Sequence, residues 1–362
     1  MSDFVFDRET MLHLPVSELP DGASGSRKIS EEEVMNGIVD PLPDSVKATI
    51  GDDSPQNIPV VDADSFLATI VVPGTYSLPR TLKTTEWWNV FNQGSIGSCF
   101  GCSDSQTATG VNWLKTGKVE EFNKFLHYVA CQLMADLKGC RPQSLGKDGG
   151  SIPTMGLLVA GHWGYLPNSA GLAPSYPRSY AEGLQAFKQC IEDLKNPNSA
   201  LRKAMAPYRM DKFIPLKTTD QVRKGKKTGA GFVQLNSLWP KTMDEHPTVI
   251  SDFTDSTDPN NRHAGGHAYG VLDVAQADDE VGVTDDDFVI ANTWGKGNAK
   301  GNQSGTQGWG DEGAKYCSES ALQKILDDKM TLCYLKTDMP FVQGSKEAQG
   351  PREIPIKSSD WV

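Results

Sequence analysis

The sequence predicts an α+β protein in which a helical part precedes a part made of strands. Between about residues 98 and 196 the apolar residues recur at helical spacing and are bounded by capping signals. From about residue 230 the apolar runs are short, rich in β-branched and aromatic residues, and flanked by turn residues. Helices that come first and strands that come later are typical of folds that segregate the two kinds of element.

Four segments carry the helical pattern and four carry the strand pattern. The helical segments are SCFGCSDSQTATGVNWLKTG, EEFNKFLHYVACQLMADLKG, SIPTMGLLVAGHWG and SYAEGLQAFKQCIEDLKN. The strand segments are GAGFVQLNSLW, GGHAYGVLDVAQ, DDFVIANTWG and MTLCYLKTD. The first helical segment follows a glycine-rich turn and ends at Gly117, so we expect a buried helix whose first turn carries Cys99.

The two ends of the chain differ in character from its middle. Residues 1–74 are rich in Asp, Pro, Ser and Gly and have no sustained helical period, which predicts an extended arm, either a docking segment or a pro-segment. Within this arm, SEEEVMNG predicts a short helix, because Ser30 and Glu33 form a capping box. We expect the compact domain to cover residues 75–337, and the polar, proline-bearing residues 338–362 to form a tail.

Composition disfavours several classes of protein. The net charge of −11 argues against nucleic acid or an anionic membrane as the main partner, because both need a basic surface. No apolar run reaches the ~18 residues of a membrane-spanning helix. The N-terminus lacks the basic start and apolar core of a secretory signal, and seven cysteines, an odd number, make a poor disulfide framework. These features predict synthesis in a reducing cytoplasm.

Cys99, in the stretch FNQGSIGSCFGC, allows three interpretations: a nucleophile, half of a metal or redox pair with Cys102, or a small buried residue. A zinc site would need a second pair of ligands at matching spacing, and a thioredoxin-like site would need a preceding βαβ pattern; the sequence offers neither. For Cys102 we favour a small buried residue on the helix. A reversible disulfide between the two thiols that silences the protein is the alternative.

A cysteine nucleophile needs a base, and His267 is the candidate. It enters an apolar strand after two glycines, and Asn292 ends the next predicted strand. If the two strands pair, Asn292 can accept a hydrogen bond from one ring nitrogen while the other faces Cys99, with Trp294 shielding that bond from water. For an isolated histidine, a core residue bonded to the backbone would be the simpler interpretation.

A cysteine nucleophile also needs donors for the oxyanion. The backbone N–H of Cys99 and the side-chain amide of Gln93 are the candidates. A helix that begins at Cys99 adds its N-terminal dipole, which favours the thiolate.

Taken together, NQGSIGSCF, GGHAYGVLDV and ANTWG…GWGDEG resemble the active-site segments of papain-like cysteine peptidases. The chain order Gln, Cys, His, Asn and the six-residue step from Gln93 to Cys99 are theirs, and the resemblance covers about residues 75–337. It implies a two-lobe fold, with a helical N-terminal lobe, an antiparallel β-barrel-like C-terminal lobe and the active site between them. It also implies that Cys99 is the nucleophile, His267 the general base and acid, Asn292 the residue that orients it, and Gln93 an oxyanion donor.

The resemblance extends to substrate binding. KDGGSIPTMGLLVAGHWGYLP resembles the family's substrate-binding segment, in which Gly149 and Gly150 would contact the substrate backbone. Ile152 would form an apolar wall, and Gly266, next to His267, stands where the family often has larger residues that line the main specificity pocket. Trp294 completes the expected set. The resemblance implies a protein or peptide substrate and a thioester acyl-enzyme, and no metal or organic cofactor.

GHAY is also similar to calpain-type relatives, whereas GSC and the glycine pair favour the papain branch. One departure is Ile96, which stands where family members of oxidising compartments carry a cysteine for a structural disulfide.

The sequence also fits two alternatives to a peptidase. The chain could be a structural component of a larger assembly, such as a virus or phage particle, in which residues 1–74 and 338–362 contact neighbouring subunits, with or without residual activity. It could also be a relative that cuts peptidoglycan cross-links or transfers an acyl group. The acyl-enzyme step is common to all of them, so the triad does not separate them.

Overall fold

The fold is that of a computed structural model. It describes residues 58–70, 91–116, 118–139, 143–227, 231–239, 249–251, 266–280, 282–295, 313–328 and 331–337, and the backbone of two strands at 4–7 and 12–15. The predicted helix at SEEEVMNG and the predicted tail at 338–362 lie outside these residues. The expected division of the chain at residues 75 and 338 stays a prediction.

The four helical segments are confirmed. The described helices, in chain order, are α1 (Ala63–Thr69), α2 (Cys99–Thr116), α3 (Lys124–Lys138), α4 (Pro153–Leu158), α5 (Tyr180–Ala186), α6 (Lys188–Leu194), α7 (Ala200–Met205), α8 (Thr219–Lys227) and α9 (Glu319–Asp327). A π-helical turn, Val159–Trp163, continues α4 and ends at Gly164. The fourth predicted helix is divided at Phe187 into α5 and α6.

The four predicted strands are confirmed as β4, β6, β7 and β9. The described strands are β1 (Phe4–Asp7), β2 (Leu12–Pro15), β3 (Ile214–Pro215), β4 (Phe232–Leu238), β5 (Val249–Ile250), β6 (Gly266–Val274), β7 (Phe288–Ala291), β8 (Ala314–Cys317) and β9 (Leu332–Lys336). β1 and β2 form an antiparallel pair, and the other seven form one sheet in the order β3-β9-β4-β6-β7-β8-β5.

The expected β-barrel-like lobe is wrong, because this sheet is open. Its ladders are antiparallel except between β5 and β8, and no ladder among the described residues joins the outer strands β3 and β5. A barrel requires the two edges to pair along their length. Each outer strand has only two residues, and Pro215 in β3 has no N–H to donate, so neither edge can support such a ladder.

The sheet separates two apolar clusters. Side chains along β6 alternate between them: Ala268 and Leu272 belong to a cluster with helices α2 to α7, whereas Tyr269 and Val271 belong to a cluster with α1, α8 and α9. Successive side chains of a strand point to opposite faces, so β6 contributes to both. Both faces of the central strand are therefore buried, and helix α2 packs against β4 and β6 on one of them.

Part of the predicted arm packs on this body. Ile58 and Leu67 are buried, and Phe213 exchanges two backbone hydrogen bonds with Pro59 and Val61, each of 2.8 Å. Asp62 caps α1 by accepting a hydrogen bond from the backbone of the third residue after it. In the described part of the chain, no helix is long and apolar enough to cross a membrane.

Candidate active site

The turn before α2 determines where Cys99 lies. Gly94 has a φ of +65°, a conformation that favours glycine, and its N–H donates to Asn92 Oδ1 at 2.9 Å. The first hydrogen bond of the helix runs from the Cys102 N–H to the Ser98 carbonyl at 2.9 Å. Cys99 is thus the first residue of an 18-residue helix, and it is buried. The helix dipole at this end favours a negative charge.

A close contact between α2 and α3 holds the first turn of α2. A Cβ atom added at Gly101 would lie 2.7 Å from the Tyr128 Cβ and 2.8 Å from the Lys124 carbonyl oxygen, so the two helices can approach this closely only with glycine there. The Tyr128 hydroxyl donates to Asp148 Oδ1 at 2.8 Å, and the Gly97 N–H donates to the same oxygen at 2.9 Å. Asp148 therefore ties the loop of the predicted glycine pair to the turn that carries Cys99.

His267 and Asn292 meet as the strand pairing predicts. His267 is the second residue of β6, Asn292 directly follows β7, and Nε2 of the histidine lies 2.7 Å from Oδ1 of the asparagine. The Thr293 N–H donates to the same Oδ1 at 2.6 Å, which identifies that atom as the oxygen. Because this oxygen only accepts, Nε2 carries the proton, and Nδ1 is the basic nitrogen of the neutral ring.

Three buried aromatic rings enclose the histidine. The centroid of the His267 ring lies 4.5 Å from that of Trp294, 4.6 Å from that of Trp239 and 6.0 Å from that of Tyr269. Trp239 directly follows β4, Tyr269 lies on β6, and Trp294 is the second residue after Asn292. A hydrogen bond kept from water in this way is stronger than an exposed one.

Gln93 is bonded to the segment that carries Asn292. Its backbone N–H donates to the Thr293 carbonyl at 2.9 Å, and its Oε1 accepts from the Thr293 hydroxyl at 2.5 Å. Its Nε2 donates to the Ile96 carbonyl at 3.0 Å. A side-chain amide has two N–H groups, and this bond uses one of them.

The structure thus brings most of the predicted site together. Gln93, Asn292, His267 and Trp294 form one group, connected by hydrogen bonds and ring contacts through Thr293. Cys99 belongs to the apolar cluster on the α2 side of the sheet, whereas the rings around His267 belong to the cluster on the other side. Residues of the predicted site therefore contribute to both clusters.

The predicted substrate-binding residues are placed as follows. The Gly149 N–H donates to the Lys147 carbonyl at 2.9 Å, and Gly150 is buried with a φ of +76°. Ile152 precedes α4 and is 5% exposed. Gly266 is buried as the first residue of β6, opposite Leu238. Their part in substrate binding stays a prediction.

No protein-family model and no curated protein matches the sequence. The structure is similar to that of xylellain, a cysteine protease from Xylella fastidiosa, with a TM-score of 0.50 and 16% identity over 78% of this chain and 91% of that one. The chain has the papain-like fold. The resemblance inferred from the three motifs is therefore confirmed at the level of the fold.

Two proenzymes also resemble this chain in structure. Procathepsin B S9 from Trypanosoma congolense has a TM-score of 0.47 and 11% identity, covering 86% of this chain and 99% of that one. Digestive procathepsin L2 from the larval midgut of Tenebrio molitor has a TM-score of 0.47 and 15% identity, covering 90% of this chain and 83% of that one.

Cys102 is a buried residue of this papain-like fold, as expected. Its Sγ lies 3.4 Å from Ser98 Oγ and 3.9 Å from the Tyr176 hydroxyl oxygen. Burial raises the pKa of its thiol to about 11. The described cysteines are free thiols: Cys99, Cys102, Cys131, Cys190, Cys317 and Cys333. In the residues that the structure describes, no group of three or more His, Cys, Asp or Glu is placed to hold a metal ion.

Sequence reasoning missed several residues that support the site. Thr293 lies between the predicted site residues Asn292 and Trp294, and this position is the only signal in the sequence that it belongs to the site. The Tyr176 hydroxyl donates to the Gln93 carbonyl at 3.1 Å and is also bonded to Ser98 Oγ, so it joins both ends of the turn before Cys99. Tyr176 and Trp239 lie outside the recognised motifs, and no local pattern marks them. Asp148 lies in the recognised segment, directly before Gly149, but only the glycines of that segment were expected to have a role.

A second polar group, which we name the Asp104 cluster, lies deeper along α2. Lys336 Nζ and the Tyr334 hydroxyl contact Asp104 Oδ1 at 2.6 and 2.5 Å. The Tyr165 hydroxyl and His127 Nε2 lie 2.5 and 2.9 Å from Oδ2. All five residues are buried. Burial on its own would raise the pKa of Asp104, but the Lys336 charge and the contact with His127 hold it well below its usual range.

Proposed function

We propose that this chain is a cysteine peptidase that hydrolyses peptide bonds through Cys99, His267 and Asn292. The observation that carries the proposal is the 2.7 Å bond between His267 Nε2 and Asn292 Oδ1. It leaves Nδ1 of an enclosed imidazole as the base, on a strand against which the helix of Cys99 packs. The papain-like fold supports the same assignment.

In the proposed reaction the first half forms an acyl-enzyme. His267 Nδ1 takes the proton of the Cys99 thiol, and the thiolate attacks the carbonyl carbon of the peptide bond. The C–N bond then breaks, the imidazolium gives its proton to the leaving amine, and the acyl group stays on Cys99 as a thioester.

The second half releases the acyl group. His267 Nδ1 takes a proton from water, whose oxygen attacks the thioester carbonyl. The C–S bond breaks, the carboxylic acid leaves, and the proton returns to the Cys99 sulfur. In both halves the carbonyl oxygen becomes an oxyanion, which the Cys99 backbone N–H and the second N–H of Gln93 Nε2 would stabilise.

Asn292 has a fixed role in this scheme. Its Oδ1 accepts from Nε2–H and holds the ring in the tautomer whose Nδ1 is basic. Gly149, Gly150, Ile152 and Gly266 are the residues that we propose bind the peptide on either side of the reacting carbonyl.

The test is the rate at which iodoacetamide or a papain-family epoxide alkylates each thiol. We expect Cys99 to react fastest, its labelling to be absent in Cys99→Ala, and the rate to fall in His267→Ala. Cys102→Ala is the matched control, because this thiol lies one helical turn further and its raised pKa keeps it protonated at neutral pH. Peptide hydrolysis is then measured on the same four proteins.

A different outcome would overturn the proposal. If Cys99 reacts no faster than the other thiols, in the intact protein and after truncation, the site is inert. The alternative of a building block in a larger assembly would then be the one to pursue. If alkylation is fast but no peptide is cleaved, the peptidoglycan-cleaving and acyl-transfer alternatives should be tested with purified cell wall and with amine acceptors.

Truncation separates a blocked site from an unformed one. The cut belongs before Ile58, because residues 58–70 pack on the body, and removing them would uncover the apolar contacts of Ile58 and Leu67. If residues 1–57 act as a pro-segment, their removal should raise the alkylation rate of Cys99. An unchanged rate would assign them another role.

A further inference from the structure

Thr293 makes three hydrogen bonds that connect the two functional halves of the candidate site. Its N–H donates to Asn292 Oδ1 at 2.6 Å, and its carbonyl accepts from the Gln93 N–H at 2.9 Å. Its hydroxyl donates to Gln93 Oε1 at 2.5 Å. The residue is 1% exposed, so these bonds are made away from water.

The hydroxyl bond has a specific effect on the Gln93 amide. A side-chain amide can turn its oxygen and its nitrogen end for end at little cost unless its neighbours distinguish the two. The Ile96 carbonyl only accepts, so it requires Nε2 on its side, where that atom donates at 3.0 Å. The Thr293 hydroxyl holds Oε1 from the other side. The Ile96 carbonyl therefore fixes which end of the amide is the donor, and the Thr293 hydroxyl anchors the opposite end in place.

The backbone near Thr293 is held without this hydroxyl. Asn92 and Trp294 form an antiparallel bridge, and the Gly295 N–H donates to the Phe91 carbonyl at 2.8 Å. Main-chain bonds therefore join segments 91–93 and 293–295 whether or not the hydroxyl is present. Removing the hydroxyl should therefore change the side chain of Gln93 and not the path of either segment.

We propose that Thr293 is a positioning residue for the oxyanion donor: its hydroxyl anchors the amide of Gln93 at Oε1, so that Nε2 is held in place to face the reacting carbonyl. This inference rests on the proposed function. It adds to that function a threonine that contacts both Asn292, which would orient the base, and Gln93, which would stabilise the oxyanion.

The test uses Thr293→Val and Thr293→Ser. Valine keeps the shape and removes the donor, whereas serine keeps the donor. We expect valine to lower kcat for peptide hydrolysis roughly tenfold with little change in KM, less than the ~10²–10³ that follows complete loss of one oxyanion donor. Serine should restore most of the rate. A role in substrate binding would instead raise KM.

Alkylation by iodoacetamide supplies the second readout. This reaction displaces iodide from a saturated carbon and forms no oxyanion, so it depends on the Cys99–His267 pair and not on Gln93. We expect Thr293→Val to alkylate at the wild-type rate and with the wild-type pH profile. If valine slowed alkylation as much as hydrolysis, the residue would act on the fold or on the base, and the inference would be wrong.

A double variant completes the design. In Gln93→Ala, adding Thr293→Val should cause no further loss of kcat, because the threonine acts through the glutamine. Additive losses would overturn the inference. The inference would also be wrong if the wild type hydrolyses peptides and Thr293→Val does so at the same rate. In that case the proposed function stands. A wild type with neither fast alkylation nor hydrolysis would overturn the proposed function, and this inference with it.

Discussion

The structure contains two buried polar groups that differ in charge. The Asp104 cluster contains a carboxylate and an ammonium group 2.6 Å apart. The second group, which we name the Thr293 chain (Gln93, Thr293, Asn292 and His267), is linked by amide, hydroxyl and imidazole groups. Each group also contains a buried histidine, beside Asp104 in one case and beside an amide in the other.

The difference teaches what each group is suited to do. The contacts on both of its oxygens lower the pKa of Asp104, so the side chain stays an ionised carboxylate at neutral pH. Such a group fixes helices and strands to one another. In the Thr293 chain the asparagine accepts from Nε2–H of the histidine and thereby fixes the tautomer in which Nδ1 is the basic nitrogen. The charged group is suited to holding the fold together, and the uncharged chain is suited to the proposed chemistry.

The largest expected effect is on stability, from Asp104→Asn. The change leaves the buried Lys336 without its counter-charge, which should lower the free energy of unfolding by about 3–5 kcal/mol. Urea unfolding at pH 7 measures it. Asp220→Asn is the control, because its partner Lys224, at 2.7 Å, is largely exposed, and no measurable change is expected there. Equal losses in the two variants would contradict a structural role for the Asp104 cluster.

The pH dependence of that loss sharpens the comparison. The pKa of Asp104 is lowered in the folded protein, so its contribution is fully present above its ordinary pKa of ~3.9 and is lost as the pH falls towards the lowered value. The difference in unfolding free energy between the wild type and Asp104→Asn should therefore be constant near pH 6–7 and shrink below ~pH 4. A difference that grows in acid would show that another group is responsible.

The next effect is on activity, from Asn292→Ala. Without the acceptor for Nε2–H, the imidazole loses its orientation, and we expect kcat/KM for peptide hydrolysis to fall by about 10²-fold, at the lower end of general acid–base contributions. Alkylation of Cys99 should slow as well. The folded fraction of Asp104→Asn should instead alkylate at the normal rate. If the folded fraction of Asp104→Asn is alkylated as slowly as Asn292→Ala, then the Asp104 cluster also acts on the candidate site, and the distinction between a structural and a chemical group is wrong.

The smallest effects come from single hydroxyl groups in the Asp104 cluster. Tyr334→Phe removes one donor to Asp104 and should lower the free energy of unfolding by about 1 kcal/mol. Tyr165→Phe should cost more, because that hydroxyl lies 2.5 Å from both Asp104 Oδ2 and Lys336 Nζ. Thermal unfolding of the two variants, measured side by side, shows which of them is the less stable. Neither should change the rate at which Cys99 is alkylated.

The sequence predicted the Thr293 chain far better than the Asp104 cluster. Gln93, His267 and Asn292 stand in short segments where glycine and aromatic neighbours mark them, and the chain order relates the segments to one another. The Asp104 cluster joins residues 104, 127, 165, 334 and 336, which share no local pattern. Buried Asp and Lys also contradict the ordinary preference of these residues for the surface, so nothing in the sequence predicts them there.

The fold was predictable where elements are long. α2, α3, β4 and β6 have enough residues for a period to be recognised, whereas β3 and β5 have two residues each, and the openness of the sheet depends on them. Phe187 shows a different limit. It lies in a continuous helical pattern, yet it ends α5 and precedes α6, with its side chain fully buried. We attribute this break in the helix to tertiary packing around Phe187, which the local sequence does not encode.

The packing of residues 58–70 has a consequence for a nicked protein. Ile58 lies against Gly161, Leu67 lies in the cluster with α8, and two main-chain bonds join Phe213 to this segment. The segment therefore has its own attachment to the body, independent of the chain that follows it. A protein cut once between residues 70 and 91 would run as two pieces on a denaturing gel and elute as one species from a sizing column.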